Sequence, residues 1–124
     1  MIRDEEVIYR GFREKTVGDF KIFHPLNPHV FRTFKELARQ MKATGRTRYS
    51  GRNISEKMRW DYNLATAGND FKLNNNFVAI YVRLLIFRYP KEFVGFFQLR
   101  SNRGGYSDAD LEADATKRED DDDL

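Results

Sequence analysis

Eight residues carry the strongest chemical signal in this chain: Arg39, Lys42, Arg46, Arg48, Tyr49, Arg52, Lys57 and Arg59. They span the end of one helical pattern, a polar loop and the start of the next. Cationic side chains interleaved with an aromatic ring suit phosphate contact plus stacking on a base, so the constellation predicts a nucleic-acid interface. Lys42, Arg46, Arg48 and Arg52 would hold phosphates, and Tyr49 would stack or buttress. The loop, residues 45–53, is longer than the roughly three or four residues of a helix-turn-helix turn, so that motif is not assigned. Two plainer readings stand beside this one. The stretch is a solvated face whose Lys and Arg stems lie over a small core, or it docks a protein partner.

Catalysis finds less support in the residue types. His24 and His29 are the only histidines, and a metal centre needs more ligands than two. The phrase His24 to His29, HPLNPH, resembles part of an HNH nuclease, but the ββα spacing and the later histidine are missing. Packing against a helix entry is the expectation for these imidazoles. Glu56, Asp61 and Asp70 would have to converge to hold Mg²⁺, and Glu56 already has a capping role. The chain has no phosphate-cradling glycine motif, no Gly-x-Ser-x-Gly and no cysteine, which leaves hydrolase and NTPase chemistry without a foothold. No catalytic residue, metal ligand or cofactor is assigned.

Charge sets the class of partner. Residues 1–106 hold 20 Lys and Arg against 10 Asp and Glu, whereas residues 107–124 hold 9 acids against Lys117 and Arg118. The overall charge of +3 therefore hides a body of +10 joined to a tail of −7. A basic body attracts polyanions, and a tethered acidic segment competes for the same surface. The tail is too poor in apolar groups to offset the entropy of ordering and is expected to be disordered. The N-terminal MIRDEEVIYRGF has acids where a signal peptide has an apolar run, and the longest apolar stretch, Phe77 to Phe87, is too short to span a bilayer. A soluble, cytoplasmic protein without a membrane partner is expected.

These side chains need a frame, and the frame reads as one mainly α domain over residues 1–106. Val7 to Phe12 and Phe20 to Phe23 lean towards strand, with Gly18-Asp19 between them, and predict a short extended or hairpin portion. Asn27 then caps a first helix with Pro28 at its first position and Gly45 at its stop. Val30, Phe31, Phe34, Leu37, Ala38 and Met41 form its apolar stripe. A second helix begins at Asn53, with Glu56 completing the capping box, and ends at Gly68. Asn74-Asn75-Asn76 precedes a third helix, Phe77 to Tyr89, apolar on nearly every side and so central. Arg83, lodged within it, is expected to form a structural ion pair with a buried acid such as Asp61. Pro90 stops that helix, Lys91 to Arg100 forms a short helix or edge strand, and Ser101 opens a linker.

Taken in order, Asn27-Pro28, Phe34/Leu37/Ala38, Gly45/Tyr49/Ser50, Arg59-Trp60-Asp61-Tyr62, Asp70-Phe71-Lys72 with Asn74-Asn75, Tyr81/Arg83/Leu84, Pro90/Phe93 and Phe97/Arg100 form a skeleton. It resembles a family of small phage, prophage and mobile-element proteins over residues 23–100. The resemblance implies a phage or mobile-element setting and brings no catalytic residues. Expectation settles on a non-enzymatic accessory protein that binds DNA or RNA. The alternative is an inhibitor or adaptor of a host defence protein, and the third reading is a small metal-dependent nuclease.

Overall fold

The computed structural model describes residues 5–45, 50–61, 75–97 and 109–113, with the side-chain surroundings of residues 59–61 and 75 left outside that description. The fold is mainly helical. A 3-10 turn, Glu5–Tyr9, precedes α1 (Glu14–Leu26), α2 (Pro28–Ala43), α3 (Gly51–Asp61), α4 (Asn75–Arg88) and α5 (Pro90–Phe93). None of the described helices is long and apolar enough to cross a membrane.

α4 is the axis of the molecule. Residues 77–87 are buried apart from half-buried Ala79, and the 3-10 turn, α1, α2, α3 and α5 all pack on it. An uninterrupted apolar surface makes a helix stable only when neighbours cover every side, which is the arrangement expected from Phe77 to Tyr89. Tyr81 lies at the centre of an aromatic cluster, its ring 5.3 Å from Phe20, 5.5 Å from Phe31 and 5.6 Å from Phe34.

α2 also matches its expected course. Pro28 occupies its first turn, Gly45 follows it with a φ of 86°, and Val30, Phe31, Phe34, Leu37 and Ala38 are buried. Asn27 plays a different part from the expected one. Its side chain makes no cap bond to α2; instead its Nδ2 donates to the Phe23 carbonyl at 3.1 Å, closing the end of α1.

Three sequence expectations are corrected. The N-terminal extended portion is helical, because Phe20 and Phe23, three residues apart, turn one side of α1 towards the core, where they meet Phe77 at 5.5 and 5.2 Å. Gly18 lies inside this helix rather than in a turn. α3 begins at Gly51, two residues before Asn53, and Ser50 caps it, its Oγ accepting from the Arg52 N–H at 3.2 Å. Glu56 faces Arg52 at 3.5 Å rather than closing a capping box. Finally, residues 109–113 of the expected disordered tail are helical, and Leu111 is fully buried among the core side chains. The end of the second helix at Gly68, the linker from Ser101 and residues 114–124 lie outside the described residues.

Arg83 does serve a structural purpose. It is 1% exposed, its Nη1 donates to the carbonyls of Ile8 at 3.3 Å and Arg10 at 2.8 Å, and its guanidinium lies over Phe12 at 5.1 Å. The Asp61 side chain named as its expected partner lies outside the described residues. Two ion pairs also fasten the N-terminal turn: Arg88 grips Glu5 through two bonds of 3.1 and 2.9 Å, and Lys21 meets Glu6 at 3.0 Å.

Candidate functional site

The basic side chains that the fold brings together form a ridge along α2. Positions four and three apart share a helix face, so Lys35, Arg39 and Lys42 rise in one line beside the buried stripe, with exposed Arg32 a turn earlier. Pro90 breaks α4 and folds α5 back against this line, which places Tyr89, Glu92 and Phe93 under the cations.

Aromatic rings hold the cationic heads in place. Lys35 Nζ lies 5.2 Å from the Tyr89 ring centre and 5.8 Å from that of Phe31, and it donates to the Tyr89 hydroxyl at 3.4 Å. The Arg39 guanidinium lies 5.2 Å from Tyr89, and Lys42 Nζ lies 5.9 Å from Phe93. The Arg88 guanidinium lies 5.6 Å from the same Phe31 ring centre. Attraction to the ring quadrupole fixes these charges while leaving their outward N–H groups usable.

One carboxylate is set into the ridge. Arg39 binds Glu92 through two parallel bonds, Nε to Oε2 at 2.5 Å and Nη2 to Oε1 at 3.2 Å. This pairing is the chief cause that raises the already high pKa of Arg39. Lys42 Nζ donates to the backbone carbonyl of the same Glu92. The pair is about a third exposed, 39% for Arg39 and 33% for Glu92, so a second anion can approach it from solvent.

Of the eight residues singled out in the sequence, Arg39 and Lys42 belong to this ridge. Arg52 is exposed at the start of α3 and pairs with Glu56, and Lys57 is half-buried on α3. Arg46, Arg48 and Tyr49 lie outside the described residues, as does the side chain of Arg59. Sequence reasoning missed Arg32, Lys35, Tyr89, Glu92 and Phe93 as members. The spacing of Lys35, Arg39 and Lys42 was a readable signal, but the return of α5 beneath them is a tertiary event.

His24 and Tyr81 lie away from the ridge, in the aromatic cluster around Phe20. His24 stacks on Phe20 at 5.3 Å and 11°, and burial, followed by the Arg88 charge, lowers its pKa below 6.5. Burial raises the Tyr81 phenol above its ordinary value. Among the described residues no group of three or more His, Asp or Glu could hold a metal ion. The ridge can thus bind anions through charge-assisted hydrogen bonds. Its rings are already covered by cations. No protein-family model, curated protein or solved structure matches the chain.

Proposed function

We propose that the protein is a non-enzymatic nucleic-acid-binding accessory protein of a phage or mobile element, and that it engages the phosphate backbone through the α2 ridge. The observation that carries this reading is the ladder Lys35, Arg39 and Lys42, held upright on Tyr89 and Phe93. Arg46, Arg48 and Arg52 follow α2 in the chain and would extend the contact, with Tyr49 as buttress. Stacking on bases is the lesser component, because none of the aromatic rings whose burial is described is exposed.

Fluorescence anisotropy with a labelled oligonucleotide, titrated over a range of salt, tests the reading. Replacing Arg32, Lys35, Arg46, Arg48 and Arg52 with Gln should weaken binding, and the slope of log affinity on log salt should fall by roughly 0.7–0.9 for each phosphate no longer engaged. Absence of binding by the natural chain at low salt overturns it.

A second reading has its own observation. Ile22 and Leu26 lie four residues apart on α1 and are 66% and 57% exposed. Such an apolar pair suits the docking of a host protein, and Ile22→Asp would abolish that interaction while leaving nucleic-acid binding intact.

A further inference from the structure

The acidic segment is anchored beside the basic ridge, and this geometry gives the ridge a partner within the chain. Leu111 is fully buried in the core, and Glu112 Oε1 accepts from the Gly95 N–H at 2.9 Å. Gly95 has a φ of 83° and stands three residues beyond Glu92, the acid that Arg39 and Lys42 already hold. Three residues of chain span at most about 10 Å. The anchor therefore lies within one short step of the C-terminal end of the ridge.

We infer that the run Glu119-Asp120-Asp121-Asp122-Asp123 is an intramolecular ligand of the α2 ridge, positioned by Leu111 and Glu112, and that it competes there with polyanions. The inference rests on the proposed role of the ridge in binding them. Glu119 lies six positions beyond Ala113 and Asp123 ten positions beyond it, so the acids can reach at most about 20 and 34 Å from the anchor. The ridge from Lys42 to Lys35 is only about 10 Å long at 1.5 Å per residue. The reach covers it.

Charge complementarity completes the argument. Glu92 shows what the ridge accepts: a carboxylate gripped by Arg39 through two bonds, with Lys42 on the adjoining carbonyl. Arg32 and Lys35 lie further along the same line. A ligand tethered by a few residues is present at an effective concentration on the order of millimolar. Separated charges at the surface are screened beyond about 10 Å at 0.1 M salt, so occupancy by the segment should fall as salt rises.

The chain has no cysteine, so Leu124→Cys takes a single nitroxide label. In the full-length protein at low salt, backbone amides of residues 32–42 should broaden strongly in NMR spectra. The broadening should fade at about 0.5 M salt, where the Debye length is a few ångströms. It should also fade when Glu119 is replaced by Gln and Asp120 to Asp123 by Asn. A melt confirms that the neutralised chain is folded. The same neutralised protein should bind a duplex oligonucleotide several-fold more tightly at low salt, with the gain vanishing at high salt. Glu112→Ala, which removes the acceptor of the Gly95 N–H and keeps the acidic run, should give a smaller gain. Unbroadened α2 amides at low salt overturn the inference, as does equal oligonucleotide affinity of the natural and neutralised chains. Failure of both chains to bind any oligonucleotide overturns the proposed function instead, and it leaves the broadening result to decide the intramolecular contact alone.

Discussion

Arg83 reaches from the middle of α4 to the carbonyl of Arg10, bonding it at 2.8 Å across 73 positions of sequence. A buried cation is costly unless its donors are satisfied, and here the carbonyls of Ile8 and Arg10 serve while Phe12 covers the guanidinium face. Replacing Arg83 with Met keeps much of the stem's packing and removes the donors. The carbonyls are then left without their partner at a cost of about 1–3 kcal/mol. Urea unfolding should show this loss, and amide exchange should show it concentrated in residues 5–12.

Two glycines should respond to Ala with opposite signs. At Gly51, a Cβ would come within 2.6 Å of Val82 Cγ2 and 3.2 Å of Val78 Cγ1. A valine in a helix has one strongly preferred rotamer and cannot swing aside, so overpacking should cost about 1–3 kcal/mol. At Gly18, inside α1, nothing lies within 4 Å of the same atom. Gly18→Ala should stabilise by about 0.5–1 kcal/mol through helix propensity and a less flexible unfolded chain. Thermal melts of the two variants check both signs.

His24 makes stability depend on pH. Burial lowers its pKa in the folded protein below 6.5, with the charge of Arg88 adding to this and Glu5 opposing it. Above that value the imidazole is neutral in both states and contributes no slope. As pH falls below it, the unfolded chain takes up a proton that the folded chain resists, so stability declines until the lowered folded pKa is passed. Denaturant midpoints of the natural protein should fall faster than those of His24→Gln between pH 7 and 5.

The Tyr81 hydroxyl is buried and has no hydrogen-bond partner among the described residues. Its ring contacts hold the aromatic cluster together, whereas its oxygen bears the cost of desolvation. Tyr81→Phe should therefore be neutral or stabilising, while Tyr81→Ala should lose about 3–5 kcal/mol by opening a cavity. A loss with Phe comparable to that with Ala would show that the hydroxyl has a partner.

What was legible in the sequence follows from where each element's signal resides. α2 and α4 carry theirs locally: Pro28 and Gly45 bracket a clean apolar stripe, and α4 is apolar all round because it is covered all round. α1 misled because Phe20-Lys21-Ile22-Phe23 is too short to separate period two from period three or four. The helical answer emerges only when Phe77 and Tyr81 are in place against Phe20. The site was half-legible for a related reason. Arg39 and Lys42 were grouped with the loop that follows them in the chain, whereas Glu92, Arg39's actual partner, is 53 positions away. Leu111 was hidden by its composition, since one leucine among acids gives no periodicity, yet it is that leucine that the core takes in.

The pair Arg39–Glu92 couples the ridge to the fold, and its two contributions can be separated. Partly exposed ion pairs contribute about 1 kcal/mol or less, so Glu92→Gln should lower stability only slightly, with the amide still able to accept from Arg39. The same change removes the carboxylate that neutralises the middle of the ridge, leaving Lys35, Arg39 and Lys42 without an embedded counter-charge. Oligonucleotide affinity should then rise at low salt, with a steeper salt dependence reflecting one additional phosphate engaged. Arg39→Gln should do the reverse: a similar small stability loss, a weaker affinity and a shallower slope. In the double variant the two affinity effects should fall short of additive, because Glu92 and the phosphate compete for the same guanidinium. Anisotropy titrations of all four proteins at several salt concentrations supply the cycle. Equal affinities across the four would mean that phosphates do not reach Arg39, and the interface would then have to lie along the loop of Arg46, Arg48 and Arg52.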